Sequence, residues 1–293
     1  MNQHQEKQWT ILEILQWTTT YFQEKGVQSP RLTAELLLAH TLQQERMYLY
    51  VHYDQPLEPE ERKQFKTLIL RRIQGTPTQY LTGVQEFWSL AFRVTPAVLI
   101  PRPETEHLVE LAVELGRSFS QPAILDLGTG SGAIAISLKH ELPHANIYAS
   151  DVSEAALTIA RENAQSLLPA GRQMTFFQGD LFAPFPEMTF DLIVSNPPYI
   201  SELEYAALTC EVRDHEPKLA LYAGKDGLDV YRRLIAGAAA HLNPHGVVLV
   251  EIGCGQQDAV VQLFEQQHFS IERIVKDYAG IARVIAARKS SSK

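Results

Sequence analysis

Asn196, Pro197, Pro198 and Tyr199 follow the apolar run Phe190 to Ser195, which places a rigid polar loop at the end of a strand. Two consecutive prolines fix φ and remove two backbone donors, leaving carbonyl acceptors with no N–H between them. The Asn196 side chain adds an amide oxygen. Such acceptors can take both hydrogens of a planar NH2 group, an amide or an exocyclic amine, while Tyr199 offers a face for that plane to stack on. The plainer alternative is a turn between a strand and a helix. A second candidate is Asp126-Leu127-Gly128-Thr129-Gly130-Ser131-Gly132, between a short apolar strand and a helix. Glycines there let the backbone approach a ligand, and the N–H groups of the helix start point outward. Asp151 ends the next strand, 19 residues after Gly132, close to the position where an acid binds a ribose in dinucleotide folds. A nucleoside cofactor fits, and a glycine-rich loop alone leaves nicotinamide, flavin and adenosylmethionine open. The spacing Gly-x-Gly-x-Gly, and Asp126 as a carboxylate for an amino group, favour adenosylmethionine. Gly179-Asp180-Leu181-Phe182 follows a third strand and could set a carboxylate and apolar surface beside an adenine ring.

The elements that must position these residues read as an α/β fold. Ala123–Leu127, 146–150, 174–178 and Phe190–Ser195 are strand-like, and 133–142 and 153–167 are helix-like. Repeated βα units imply a parallel sheet wrapped by helices on both faces. Gly128-Thr129, Asp151, Asp180 and Asn196 all fall at carboxyl ends of strands, where ligands bind in open α/β sheets. A helix over 228–242 leads through an Asn243-Pro244-His245-Gly246 turn into a strand over 247–252. Runs 270–275 and 283–287 suggest a closing hairpin, and Lys289 to Lys293 a frayed tail. Ahead of the sheet, Leu12, Leu15, Phe22, Leu32, Leu36, Ala39, Phe65, Leu68 and Ile69 recur at helical spacing. Ser29-Pro30 supplies a helix start, and Gly26 and Gly75 sit at helix ends. Phe87, Trp88, Phe92, Val94 and Val98 read as a hairpin or extended linker. The expected parts are therefore a helical domain over 1–83, a hairpin linker over 84–103 and a catalytic domain over 104–293.

The 293 residues, 45% of them hydrophobic, are ample for packed cores. The polar start Met1 to Gln8 lacks an apolar signal region and no run approaches a membrane span, so cytoplasmic residence is the default. Residues 1–85 carry 9 basic and 9 acidic side chains, so the whole net charge of −8 resides in the remainder. That balance speaks against a nucleic-acid-binding surface, which neutralises phosphates with clustered Lys and Arg. Cys210 and Cys254 are too far apart in sequence for a Cys-rich metal site and read as buried or idle thiols. His140 with His144, and His241 with His245, have helical spacing, but Pro143 and Pro244 interrupt each pair, so surface histidines and no metal are expected. Glu251-Ile252-Gly253-Cys254-Gly255 reads as a tight turn. Glu202, Glu204, Glu211, Asp214 and Glu216 read as a solvated acidic loop.

Asn196 to Tyr199 resembles the signature of methyltransferases acting on planar nitrogens. Ile100-Pro101-Arg102-Pro103-Glu104-Thr105-Glu106, Asp126 to Gly132, Asn196 to Ile200 and Gly224-Lys225-Asp226-Gly227-Leu228-Asp229 occur in the order found in the PrmC/HemK family of release-factor glutamine methyltransferases. Tyr80 to Gly83 and Glu86-Phe87-Trp88 add to the likeness, which spans roughly residues 75 to 288. The resemblance implies a class I S-adenosylmethionine-dependent methyltransferase fold, Rossmann-like, with a seven-stranded, mostly parallel sheet whose last strand is antiparallel. It also implies N5 methylation of the glutamine in the Gly-Gly-Gln motif of class 1 peptide release factors. By the same likeness Gly128 to Gly132, Asp151, Leu181 and Asn196 would line the cofactor site. Asn196 to Tyr199 would hold the glutamine, and the helical domain would dock the release factor. Leu181 stands where some relatives carry an aromatic residue. Arg102 and Glu104, next to three prolines, could form a lid or salt bridge over the cofactor, or else cap the following helix. Rival readings are a ribosomal-protein glutamine as substrate, DNA adenine N6 methylation, which would need base flipping and a basic recognition domain, and a non-enzymatic scaffold.

Overall fold

The structure, a computed structural model, describes residues 8–289. It contains two compact units, one running up to Gly83 and including Cys210–His215, the other made of Val84–Thr209 and the chain from Glu216 onward. The helical unit contains Ile11–Glu24, Pro30–Leu42, Arg46–Val51, Pro59–Ile73 and Thr78–Thr82. Its first helix starts on a capping box: Glu13 N–H donates to Thr10 Oγ1, and Thr10 N–H donates to Glu13 Oε2 at 3.1 Å. Ile11, Leu15, Phe22, Leu37, Leu38, Phe65 and Ile69 form its core. The helical period was legible in the sequence, but its phase was partly misread, because Leu12, Leu32 and Leu36 are exposed. Pro30–Leu42 is apolar around most of its circumference, so the pattern does not select one face. Arg72 is buried and pairs with Glu211 at 2.7 Å within this unit.

The second unit opens with an antiparallel hairpin, β1 (Val84–Phe87) and β2 (Leu90–Arg93). Trp88 and Ser89 at its tip both take left-handed φ, the backbone of a tight two-residue hairpin turn. Trp88 is held by its backbone N–H on Glu106 Oε1 (2.8 Å) and its indole N–H on Glu141 Oε1 (3.1 Å). Phe87 and Phe92 are buried in the core of the sheet unit. The strands are β3 (Ala123–Leu127), β4 (Asn146–Asp151), β5 (Thr175–Gln178), β6 (Phe190–Ser195), β7 (Leu242–Glu251), β8 (Phe269–Lys276) and β9 (Ala282–Lys289). They form one sheet in the order β5-β4-β3-β6-β7-β9-β8, parallel except that β9 runs antiparallel to β7 and β8.

Alternation along each strand sends side chains to two cores. Ile124, Leu192, Val194, Val247 and Leu249 meet the helices Glu106–Gly116 and Ala133–Glu141 on one face, while Leu125, Ile193, Val248 and Val250 meet Asp229–Ala238 and Gln257–Gln266 on the other. Burial on both faces explains why the central strands are continuous apolar runs. The expected Asn243-to-Gly246 turn lies inside β7. Pairing jumps from Phe190–Leu242 to Leu192–Val247, so these residues form an irregularity that accommodates Pro244. Asn243 Nδ2 ties it down by donating to Asp191 Oδ1 at 2.8 Å. Lys289 belongs to β9, and the tail expected beyond it, 290–293, lies outside the described residues, as do residues 1–7 of the polar start. Among the described residues no helix is long and apolar enough to cross a membrane.

From β3 the chain winds outward through β4 and β5, then returns to β6 on the other side of β3. This reversal is a topological switch point, where a crevice opens beyond the carboxyl ends of the strands.

Candidate active site

A cavity of about 240 Å³ occupies that crevice, with Gly128, Gly130, Asp151, Leu181, Asn196 and Pro197 in its wall and Asp180 and Pro198 beside them. A methyl group added to Gly128 or Gly130 would meet no atom within 4 Å, so bare backbone faces open space there. Gly128 and Thr129 N–H groups both donate to Ser150 O at 2.9 Å, which folds the loop against the end of β4. Asp151 fixes it from the same strand end: Oδ2 accepts from Gly130 N–H and Oδ1 from Ser153 N–H, each at 2.9 Å. Burial raises the Asp151 carboxyl above its ordinary value, against the pull of those N–H groups.

Asp126, at the base of the loop, is wholly buried. Its Oδ2 accepts from Thr129 Oγ1 (2.6 Å) and Ala135 N–H (3.2 Å), while Oδ1 has no partner among the described residues. Burial pushes this carboxyl up to about 7, opposed by the Thr129 and Ala135 bonds. An orphaned buried acceptor is costly, and Asp126 lies behind the glycine loop, not among the residues of the cavity wall. Thr129, Ser131 and Gly132 are also buried: Ser131 O accepts from Asn163 Nδ2 at 2.8 Å, and Gly132 starts helix Ala133–Glu141. They shape the loop, and Gly128 and Gly130 present it. Leu181 holds a left-handed backbone, φ 48°, and the exposed Asp180 pairs with Arg233 at 2.5 Å.

Asn196 is held by residues to which the sequence reading assigned no role at the site. Its Nδ2 donates to Thr105 Oγ1 at 3.0 Å, and Thr105 Oγ1 donates to Glu251 Oε2 at 2.6 Å. Thr105 closes the short turn Pro103–Thr105, and Glu251 ends β7 beside β6. Glu251, expected as part of a plain turn, is a buried carboxyl raised by burial to about 7. The one available signal was an acid ending an otherwise apolar strand. Burial pushes the Tyr199 phenol up to about 12, so it stays protonated near neutral pH. The Tyr199 carbonyl accepts from Gln256 Nε2 at 2.9 Å, and Gln256 Oε1 accepts from Gly253 N–H at 3.0 Å. Gly227 closes the brace: a methyl there would lie 2.4 Å from the Tyr199 carbonyl oxygen.

Other expectations hold only in part. The acidic stretch is partly helical: Glu202, Glu204 and Asp214 are exposed to solvent as expected, with Ser201 and Glu204 forming a capping box, while Glu216 is buried against Arg102 at 2.5 Å. Arg102 makes its salt bridge with Glu216, which is not the Arg102–Glu104 arrangement expected, and no side-chain hydrogen bond caps the turn Pro103–Thr105 among the described residues. Cys210 and Cys254 are both exposed, and His241 is partly buried, stacked on Phe182 at 4.4 Å.

Residues 13–83 match the model of the PrmC N-terminal domain and residues 107–212 that of the methyltransferase small domain. A methyltransferase structure from Pyrococcus furiosus superposes with a TM-score of 0.51, covering 77% of this chain and 98% of that one at 18% identity, a likeness of fold. The release factor glutamine methyltransferase of Geobacter sulfurreducens is 45% identical over 280 residues, 96% of this chain and 97% of its own length. Its counterpart from Rhodopirellula baltica is 42% identical over 288 residues, with 96% and 97% covered. The likeness runs through the helical unit and the sheet unit alike, and the chain belongs to the release factor glutamine methyltransferase family.

Proposed function

We propose that this protein transfers a methyl group from S-adenosylmethionine to N5 of the glutamine side chain in the Gly-Gly-Gln motif of class 1 peptide release factors. The observation that carries the reading is the adjacency, in one cavity, of a bare glycine loop and the Asn196-Pro197-Pro198 wall. The names of the relatives point to the same substrate class.

The chain's residues fit the cofactor. The Asp126 Oδ1 orphan suits a cationic amino group, Asp151 suits ribose hydroxyls, and Leu181 and the open faces of Gly128 and Gly130 suit the nucleoside. When bound, S-adenosylmethionine supplies a methyl group on a positively charged sulfur. The work left to the protein is positioning. An amide nitrogen is a poor nucleophile because its lone pair is delocalised into the carbonyl. Asn196 Oδ1 and the Pro197 carbonyl would accept its two N–H groups, orient it in line with the methyl group and favour charge on nitrogen. Methyl transfer would leave the amide nitrogen cationic, and its proton would then leave to water. Tyr199, a neutral phenol at working pH, would stack on the amide plane and is not required as a base. The helical unit would dock the release factor, and the absence of a basic run speaks for a protein rather than a DNA substrate.

Asn196→Ala tests the site. Turnover should fall by about 10² to 10³-fold, the scale of losing one preorganised transition-state contact. Calorimetric binding of S-adenosylmethionine should persist, and wild-type turnover in this variant would overturn the assignment.

A further inference from the structure

Resting on that reading, we propose that Glu251, acting through Thr105, is a positioning residue that sets which way the Asn196 amide faces. An Asn side chain carries a donor at one end and an acceptor at the other, and a half-turn exchanges them. Only the acceptor end can receive the N–H of a substrate amide. The network removes the ambiguity by elimination. An ionised carboxylate only accepts, so the Thr105 hydroxyl spends its single hydrogen on Glu251 Oε2 at 2.6 Å. Thr105 Oγ1 can then only accept, which draws the Asn196 NH2 group to it at 3.0 Å. A hydrogen bond from Asn196 also favours the charged form of Glu251, so the carboxylate and the hydroxyl both call for the same end of the amide. Oδ1 is left for the cavity, whose wall Asn196 joins.

A buried carboxylate is an expensive way to hold a loop, and a neutral side chain could pack there instead. What a neutral amide cannot do is impose a direction, because it can donate or accept. Glu251 is 2% exposed at the end of β7. Around it stand Thr105 and Asn196, Glu104 from the turn before helix Glu106–Gly116, Arg283 from β9, and the phenols of Tyr199 and Tyr231, the last donating to the Glu251 backbone carbonyl at 2.7 Å. Once protonated, Glu251 can donate to Thr105 Oγ1, whose hydrogen is then free to turn to Asn196. The amide can then flip and present N–H groups to the N–H groups of the substrate.

The test compares wild type with Glu251→Gln at saturating S-adenosylmethionine and release factor, across pH, with cofactor affinity measured by calorimetry. Saturation keeps titration of Asp126 out of kcat. Wild-type kcat should rise about tenfold per pH unit on the acid side of neutrality and level off above it. In Glu251→Gln that limb should vanish, with kcat down about 10-fold to 10²-fold and cofactor affinity within about threefold of wild type. Thr105→Val should behave like Glu251→Gln, and Thr105→Ser should recover most of the loss. This second pair decides the matter if Glu251→Gln does not fold. Full kcat with an unchanged acid limb in Glu251→Gln, or in Thr105→Val, would overturn the proposal. If Asn196→Ala is inactive while those variants are wild-type, only this inference fails. If Asn196→Ala is active, the reading of the site fails with it.

Discussion

Gly227→Ala should damage catalysis more than it damages the fold. Gly227 has φ +76°, and a Cβ there would sit 2.4 Å from the Tyr199 carbonyl oxygen, 2.8 Å from Gln256 Nε2 and 3.2 Å from Ser201 N. Two costs add. A left-handed backbone costs an L-residue about 1–2 kcal/mol. The clash is with backbone and cannot be relieved by swinging a side chain, so the Asn-Pro-Pro-Tyr loop has to retreat by about 1 Å to regain ordinary contact. A displacement of about 1 Å in a positioning group costs about 10²-fold in rate. Gly255→Ala is the matched control, because Gly255 has φ +80° with nothing within 4 Å of an added Cβ. It bears the backbone strain alone. Steady-state methyl transfer, cofactor calorimetry and urea unfolding on the two variants separate the terms. Both should lose about 1–2 kcal/mol of stability from the strain, and Gly227→Ala alone should also lose about 10-fold to 10²-fold in kcat with cofactor affinity retained. Equal kcat in the two variants would refute the claim that Gly227 braces the acceptor loop.

Two further outcomes follow from buried charge. The Asp126 carboxyl, raised by burial from its ordinary value to about 7, keeps its proton in the folded chain where the unfolded chain has lost it, so its stabilising contribution is present at low pH and is lost as pH rises through about 7. Stability of the ligand-free protein, measured by urea unfolding, should therefore decline between about pH 4 and about pH 7 and level off above, and Asp126→Asn should flatten the decline by about 1.4 kcal/mol per pH unit within that window; identical slopes would contradict the assignment of burial as the cause. Arg102→Ala leaves the Glu216 side chain, 2% exposed, without its guanidinium partner. Because Arg102 itself is about one-third exposed, the loss should be about 2 kcal/mol rather than the value for a wholly buried pair. Arg102→Ala combined with Glu216→Gln should recover part of it, and a stability as low as that of the single variant would count against the pairing.

Much of the sheet was legible because its strands are short apolar runs bounded by turn residues. Ala123–Leu127 and Phe190–Ser195 have the bounds that the sequence implied, and β9 closes the sheet antiparallel. The convergence of Gly128, Asp151, Asp180 and Asn196 was legible too, since strand ends in a parallel sheet share one edge. What was hidden depends on tertiary neighbours. Thr105, Glu251 and Gln256 act on Asn196 and Tyr199 across long stretches of chain, and the one local sign of the buried acid, its place at the end of an apolar strand, does not tell what it touches. Glu216 was misread for the same reason: its charge looked solvated until Arg102 was placed against it. The exposed Leu12, Leu32 and Leu36 show a different limit, in which the period of an apolar helix is plain and its buried face is not.

The central claim is the identity of the acceptor atom. The most direct measurement incubates the purified protein with methyl-labelled S-adenosylmethionine and, separately, unmethylated class 1 release factor, ribosomal proteins and adenine-containing DNA, then locates the label by mass spectrometry. Label is expected on the side-chain nitrogen of the Gly-Gly-Gln glutamine of the release factor. Label confined to ribosomal protein or to DNA would contradict it.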